Sequence, residues 1–326
     1  MNLRHGVWLL AHAAMMLAAA GTAYAQNYPT KPIRLVIGFP PGGSNDIVAR
    51  QLAPRLTQLL GAQVIVENRT GANATIGTDY VAKSAPDGYT IVLGSASPLV
   101  ISPFTYPNLP YDTLRDLAGI TTVASTPEMI AVHPSLPVRN LNELVALAKS
   151  QPGKLAFASS GNGGLPHLAI ELFKTLGKVN VLHVPYKGAG PAAIDLIGGH
   201  VHAMIIDMPA LAPGVQNGKL RGIAITAAKR TPLLPEIPTT GEQGMPNLIA
   251  VNWFGIMAPA KTPAPVIERL YAAFVKAASA PEMKEQFDKV GVDAYLHSSP
   301  EAFTSFLRQE LARWGRIAKE SGAKSD

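Results

Sequence analysis

The sequence predicts an α/β protein of two domains with a ligand cleft between them. Three observations carry that expectation. Short runs rich in Val, Ile and Leu alternate along the chain with segments of helical period, the pattern of helices packed on mainly parallel strands. Two glycine-rich turns each join a strand signal to a helix signal, a natural seat for an anion. The chain has 326 residues, a size at which a single core often divides.

The first 25 residues read as an export signal. Arg4 and His5 form a basic start, Val7 to Ala20 is an apolar stretch, and Ala23-Tyr24-Ala25 is a small-x-small cleavage site. The stretch is too short to span a membrane, so the expectation is a cleaved, exported protein. In a Gram-negative cell its place is the periplasm. Losing Arg4 lowers the formal charge from +6 to +5, with no Lys/Arg stripe of the kind nucleic acid requires. The absence of cysteine excludes disulfides and thiol chemistry.

After the signal, Ile33–Ile37 reads as a strand, followed by the first turn, Gly38-Phe39-Pro40-Pro41-Gly42-Gly43-Ser44-Asn45-Asp46. Ile47, Val48, Leu52, Leu56, Leu59 and Leu60 then recur at helical spacing. Val64–Glu67 is a strand, Asn68–Asn73 a loop, Thr75–Ser84 a helix and Thr90–Gly94 a buried strand ending in Ser95. Pro103, Pro107 and Pro110 mark residues 102–112 as an irregular loop. Strands near Gly119–Ala124 and Met129–Val132 lead into the second domain, where Asn140 caps a helix over Leu141–Lys149. Lys154–Ala158 is a strand feeding the second turn, Ser159-Ser160-Gly161-Asn162-Gly163-Gly164, and a helix bearing Leu168, Leu172, Phe173 and Leu176. Strands at Val181–Val184, His202–Ile206 and Leu220–Thr226 follow, with a helix through Leu196 between the first two. The loop 231–247, with four prolines, reads as the return crossing. Trp253–Ala258 is a strand. Helices over Pro265–Ala278, Pro281–Val290 and Pro300–Glu320 finish the chain, the last packing through Phe303, Phe306, Leu307, Leu311 and Trp314. Domain 1 is therefore expected from residues 26–124 plus 248–326, and domain 2 from 125–247.

Neither turn is a nucleotide fingerprint. The first lacks the Gly-Lys-Ser/Thr ending, and the second has Pro166 where a third glycine belongs. Reactive groups are sparse. His200-x-His202 has no Cys, Asp or Glu at ligand spacing, so it reads as a solvated strand-edge pair and no metal site is expected. Ser95, Ser97, Ser159 and Ser160 end strands outside any Gly-x-Ser-x-Gly elbow, and His167 is poorly placed as a base for Ser160. Asp46 either caps the first helix or meets the ligand, and the cap is the simpler reading. Asp207 either binds a ligand amine or hydroxyl or caps the next segment. Lys187 either supplies charge or is solvated. Phe39 and Tyr186 are pocket walls or core.

Several ordered motifs resemble the substrate-binding receptors of tripartite tricarboxylate transporters, the Bug receptor family. They are Tyr28-Pro29-x-Lys31-Pro32-Ile33, Phe39–Gly43 with Asp46, Val66–Arg69, Ala85–Tyr89, Ser159–Gly163, His183–Gly188, Gly218–Arg221, Pro235–Thr239 and Trp253–Gly255. The resemblance spans nearly the whole chain after residue 25. It implies a periplasmic Venus-flytrap fold, no enzyme activity and no cofactor. It also implies a monomer that binds a small organic carboxylate and serves two membrane subunits. A sensor accessory role with a membrane partner is the main alternative, and an exported hydrolase the lesser one. Under this reading Ser159, Ser160, Gly161, Asn162 and Gly163 hold one carboxylate, with His167 beside them. Gly42, Gly43 and Ser44 hold a layer of ordered water. Phe39, Asp46, Asn73, Ser95, Tyr186, Lys187 and Asp207 complete the expected site, and closure turns on hinges near 125 and 247.

Overall fold

The computed structural model describes residues 28–324. The expected signal segment, residues 1–25, lies outside the described residues. In chain order the main elements are β1 (Ile33–Ile37), α1 (Ser44–Leu60), β2 (Val64–Asn68), α2 (Thr75–Ala82), β3 (Thr90–Ser95) and β4 (Leu117–Val132). Next come α3 (Leu141–Ser150), β5 (Ala156–Ser159), α4 (Leu165–Gly177), β6 (Leu182–Pro185), α5 (Ala189–Ile197), β7 (Ala203–Asp207) and α6 (Met208–Gln216). The chain ends with β8 (Arg221–Ile225), β9 (Val251–Pro259), α7 (Ala264–Ala278), α8 (Pro281–Asp288), β10 (Asp293–Ala294) and α9 (Pro300–Ser321).

The strands form two sheets joined through β4, in the order β2-β1-β3-β9-β4-β7-β5-β6. This is an α/β fold of two lobes. Each lobe keeps a parallel set: β1 with β2 and β3 in one, β5 with β6 and β7 in the other. The expectation of mainly parallel strands needs correction, because β3–β9, β4–β9, β4–β7, β4–β8 and β4–β10 are all antiparallel. Apolar runs locate strands but carry no sign of their direction, and the crossing strands run back against their neighbours.

The two strands expected near 119–124 and 129–132 are one strand of 16 residues. Leu117–Pro127 pairs with β9, and Glu128–Val132 pairs with β7. Pro127 reads as a break in the sequence, but it falls where the strand changes partner, a place that tolerates a missing N–H. Thr226 and Ala250 lock onto this point. Glu128 N–H donates to the Ala250 carbonyl (3.0 Å), and Thr226 N–H donates to the Glu128 carbonyl (2.9 Å). The expected loop at 102–112 begins as helix instead, over Ser97–Ile101 and Ser102–Thr105. Helix α6 was not expected. Pro209 and Pro213 obscure its period, although Pro209 sits in the first turn, where proline needs no donor.

The core follows the helical stripes. Val48, Leu52, Leu56 and Leu60 of α1 and Leu270, Phe274 and Ala277 of α7 are buried against β1, β3 and β9. In α9, Phe303, Leu307 and Trp314 are buried, with Phe306 and Leu311 packed beside them. Glu310 accepts the indole N–H of both Trp253 and Trp314 at 3.0 Å. Among the described residues no helix is long and apolar enough to cross a membrane.

Candidate functional site

Helices α1, α4, α5 and α6 all begin at the cleft between the lobes. Its walls include Phe39, Pro40, Gly43, Ser44 and Asn45 from one lobe, and Ser160, Pro166, Gly188–Pro191 and Asp207 from the other. The lobes lie close together here, leaving about 80 Å³ for the centres of water-sized molecules. Contacts cross the gap. Leu165 N–H donates to Ser97 Oγ (3.0 Å), and the Thr105 hydroxyl donates to the Gly163 carbonyl (2.9 Å). A Cβ on Gly188 would lie 3.2 Å from Pro40 Cγ.

The turn before α1 is built to present N–H groups. Gly42 adopts φ +83°, a left-handed conformation that favours glycine. Asp46, buried in the first helical turn, accepts from Gly42 N–H (3.0 Å), Arg50 Nε (2.9 Å) and Asn68 Nδ2 (2.9 Å). Burial pushes its carboxyl up, but these donors outweigh that and hold the pKa below the ordinary value. The side chain is thus occupied in stiffening the turn.

The turn before α4 is braced from behind. Ser159 is fully buried and donates to the Gly161 carbonyl (3.0 Å), while its oxygen lies 2.6 Å from His183 Nε2. His183 stacks on His167, ring centres 3.9 Å apart, and His167 Nδ1 accepts Gly163 N–H (3.0 Å). Burial, then the His167 and Lys174 charges, push the His183 pKa down to about 3. Burial likewise lowers that of His167. Both rings are therefore neutral at physiological pH and serve as struts. The Ser–His contact joins Ser159 to His183, not Ser160 to His167, and its imidazole is too weak a base to activate a hydroxyl near pH 7.

The base of the cleft is acidic. Asp207 closes β7 and stands at the N-terminus of α6. Asn252 Nδ2 donates to both its carboxylate oxygens at 3.1 Å, and the Ser44 side chain faces it from the opposite lobe and helps to lower its pKa. Burial raises its pKa to about 6 despite these donors. Glu128 stands opposite Asp207 in the β4–β7 register, fully buried, with no hydrogen-bond partner on either carboxylate oxygen. Burial, then the Asp207 charge, raise its pKa well above the ordinary value.

Other buried polar atoms in and around the cleft also lack partners: Asn45 Nδ2, Asn73 Nδ2 and Ser95 Oγ. Asn73 stands with Ala72 and Ala74 in a left-handed turn, φ +53°, +45° and +71°. It abuts the second glycine turn, since a Cβ on Gly164 would lie 2.7 Å from Asn73 Nδ2. Left-handed L-residues are costly and gather at binding sites.

Of the residues the sequence singled out, Phe39, Gly43, Ser44, Ser160 and Asp207 line the cavity. Gly42, Asp46, Ser159, Gly161, Asn162, Gly163 and His167 lie in or brace the two turns behind it. Lys187 is exposed, and the Tyr186 hydroxyl donates to Asp195 (2.6 Å), so neither lines the cavity. Asn252 and Glu128 escaped sequence reasoning. Asn252 sits in a strand-like run of apolar residues, and only the register places Glu128 beside Asp207. Gly188–Pro191 is a cleft wall because α5 starts there.

Comparison with known proteins agrees with this architecture. The model of the family described as "Tripartite tricarboxylate transporter family receptor" matches residues 48–323. Protein BugT of Bordetella pertussis is 39% identical over 320 residues, covering 97% of this chain and 98% of that protein. A Rhodopseudomonas palustris protein solved with adipate superposes with a TM-score of 0.88 at 33% identity, covering 92% of this chain and 100% of that one. MatC from the same organism, solved with malate, gives 0.84 at 27% identity, covering 89% and 99%. With its two-lobed fold, its helix starts converging on the cleft and a match across most of its length, the chain belongs to the tripartite tricarboxylate transporter receptor family, whose members are periplasmic solute-binding receptors.

Proposed function

We propose that this protein captures a small organic carboxylate between its lobes and, without catalysing a reaction, presents it to the membrane subunits of a tripartite transporter. One observation carries the reading: four helices, α1, α4, α5 and α6, begin at the cleft, and its lining includes no Lys or Arg. Helix N-termini bring unsatisfied N–H groups and partial positive charge, enough to hold an anion without a buried cation. The relatives holding adipate and malate fit the same ligand class.

In this reading Ser160, Gly161, Asn162 and Gly163 bind one carboxylate, with Ser159 and His167 bracing the loop. Gly42, Gly43 and Ser44 close over it with Phe39. Residues 26–124 and 248–326 form one lobe and 125–247 the other. The hinge is the junction of Glu128, Thr226 and Ala250, where the crossing strands exchange partners. The leader directs export to the periplasm and is cut off after Ala25. Gly161→Asp puts a like charge on the loop, at a φ of +150° that favours glycine. Calorimetry with a panel of carboxylates should find binding in the wild type and none in this variant. Full affinity in the variant would overturn the site, and silence of the wild type toward every carboxylate would overturn the ligand class.

A further inference from the structure

A second groove lies between α1 and α8 and shares no lining residue with the cleft. Its α1 side is made of Arg50, Gln51, Pro54, Arg55 and Gln58. About 440 Å³ stands open in it, room for several side chains rather than a single ion. Among the described residues four arginines are half-buried: Arg55, Arg69, Arg221 and Arg313. Arg69 pairs with Glu67, Arg313 pairs with Glu310, and Arg221 donates to the carbonyls of Leu136 and Val138. Arg55 alone of the four has no hydrogen bond or ion pair to a described residue, and its Nε is buried. A guanidinium held without a counter-charge is costly, and its fork of donors matches a carboxylate. The free groups beside it are acceptors. Gln51 Oε1, one turn before Arg55, is buried and unbonded. Pro54 has no N–H, so the Arg50 carbonyl lacks the donor that a helix supplies four residues on. Glu282, the one acid in the lining, is exposed in the first turn of α8 and pairs with no described residue.

The groove also touches the brace behind the first glycine turn. Arg50 lines the groove, and its Nε donates to Asp46 (2.9 Å) while Nη2 donates to Asn68 Oδ1 (3.0 Å). Asp46 in turn takes Gly42 N–H, and Asn68 donates to the Phe39 carbonyl (3.0 Å). We infer that this groove is a docking surface for an extended acidic segment of a protein partner. One carboxylate of the segment sits on Arg55, and a main-chain N–H meets the free acceptors. Five residues of helix advance about 7.5 Å, close to the roughly 6.7 Å between alternate side chains of an extended strand. Acids two residues apart can therefore reach Arg55 and Arg50 together. Under the receptor role proposed above, on which this step rests, the partner is a membrane subunit of the transporter. Its second acid competes with Asp46 for Arg50, slackens the turn and favours release of the bound carboxylate. Docking and ligand retention then oppose each other, and the opposition is reciprocal.

The test uses two fluorescein-labelled hexapeptides on the purified protein, one alternating Glu and Gly, the other Gln and Gly. Low ionic strength keeps exposed charges least screened. Fluorescence anisotropy should show the acidic peptide binding at least about tenfold better than the neutral one, with a loss of about the same size in Arg55→Gln. Arg316→Gln, at an exposed and unpaired arginine of α9, should leave binding unchanged. Arg55 has no bond to lose, so the melting curve of Arg55→Gln should overlay that of the wild type, and the comparison of peptides on the wild type does not depend on any variant. No binding of the acidic peptide, equal binding of the neutral one, or an equal loss in Arg316→Gln would overturn the docking surface. Displacement of the peptide by equimolar inorganic phosphate would make it a small-anion site, and Arg55-dependent binding to phosphatidylglycerol vesicles a membrane surface; either result overturns the inference. Saturating acidic peptide should also weaken, by about fivefold, the binding of the carboxylate that is tightest in the calorimetric panel. Unchanged affinity would overturn the link to release. If no carboxylate binds at all, the receptor reading fails, while the peptide comparison still decides the docking surface.

Discussion

Replacing Glu128 by glutamine should stabilise the protein at neutral pH and leave it nearly unchanged in acid. Glu128 is fully buried and its carboxylate oxygens have no partner. Burial, then the Asp207 charge, raise its pKa well above 4.5. A carboxyl raised in this way contributes its full stability below the unfolded pKa and loses it as pH rises toward the folded one. In acid the protonated side chain and glutamine are near isosteres, so the two proteins should match. At neutral pH the wild type must retain a proton that the unfolded chain has released, or bury an unpaired anion. Asp207 sets the scale. With Asn252 and Ser44 to oppose burial, its pKa still rises from 3.8 to about 6, which is roughly 3 kcal/mol. Glu128 lacks such donors, so nothing opposes the effect of burial on its carboxyl. Urea unfolding near pH 4 and near pH 7 should therefore show a gain of about 1–3 kcal/mol, the usual cost of a buried polar group left unpaired, that exists only at the higher pH. Acids remote from Glu128 titrate in both proteins and cancel in the difference, which leaves Glu128 and its coupling to Asp207. Equal stabilities at neutral pH, or the same gain at both pH values, would refute the reasoning.

The braces behind the cleft yield further predictions. Asp46→Ala removes an acceptor used by Gly42, Arg50 and Asn68, so it should cost about 2–3 kcal/mol in urea unfolding. Because those donors hold its pKa below the ordinary value, this contribution should be present at neutral pH and lost as pH falls through the depressed folded pKa. Gly38→Ala would set a Cβ 2.7 Å from Ala74 Cα and 2.8 Å from its carbonyl oxygen, rigid neighbours beside the left-handed turn. It should lower stability by about 1–3 kcal/mol and weaken carboxylate binding in calorimetry. Ser159→Ala leaves His183 Nε2 and the Gly161 carbonyl unmatched and should cost about 1–3 kcal/mol in stability.

The fold class, most helices and both glycine turns were legible because each rests on local signals. Apolar period placed α1, α4, α7 and α9, and Asn140 does cap its helix, accepting Glu143 N–H at 2.9 Å. What stayed hidden was relational. The long strand β4 looked like two, since Pro127 reads as a stop until the change of partner is known. Glu128 and Asn252 each stood one residue before an expected strand, at Met129–Val132 and Trp253–Ala258, and nothing local marked either. The motif of turns preceding helices was readable, but the meeting of four helix starts at one cleft was not.

The sequence by itself determined the local chemistry of this protein: which segments are strand or helix, where glycine lets the backbone present its N–H groups, and how few groups could act as acids, bases or metal ligands. The tertiary structure alone decided which of these groups face one another. Propensity and hydrophobic period depend on neighbours along the chain, whereas the opposition of Glu128 and Asp207 depends on strand register. The reach of Ser44 across the cleft likewise depends on how two lobes, assembled from distant parts of the chain, come together.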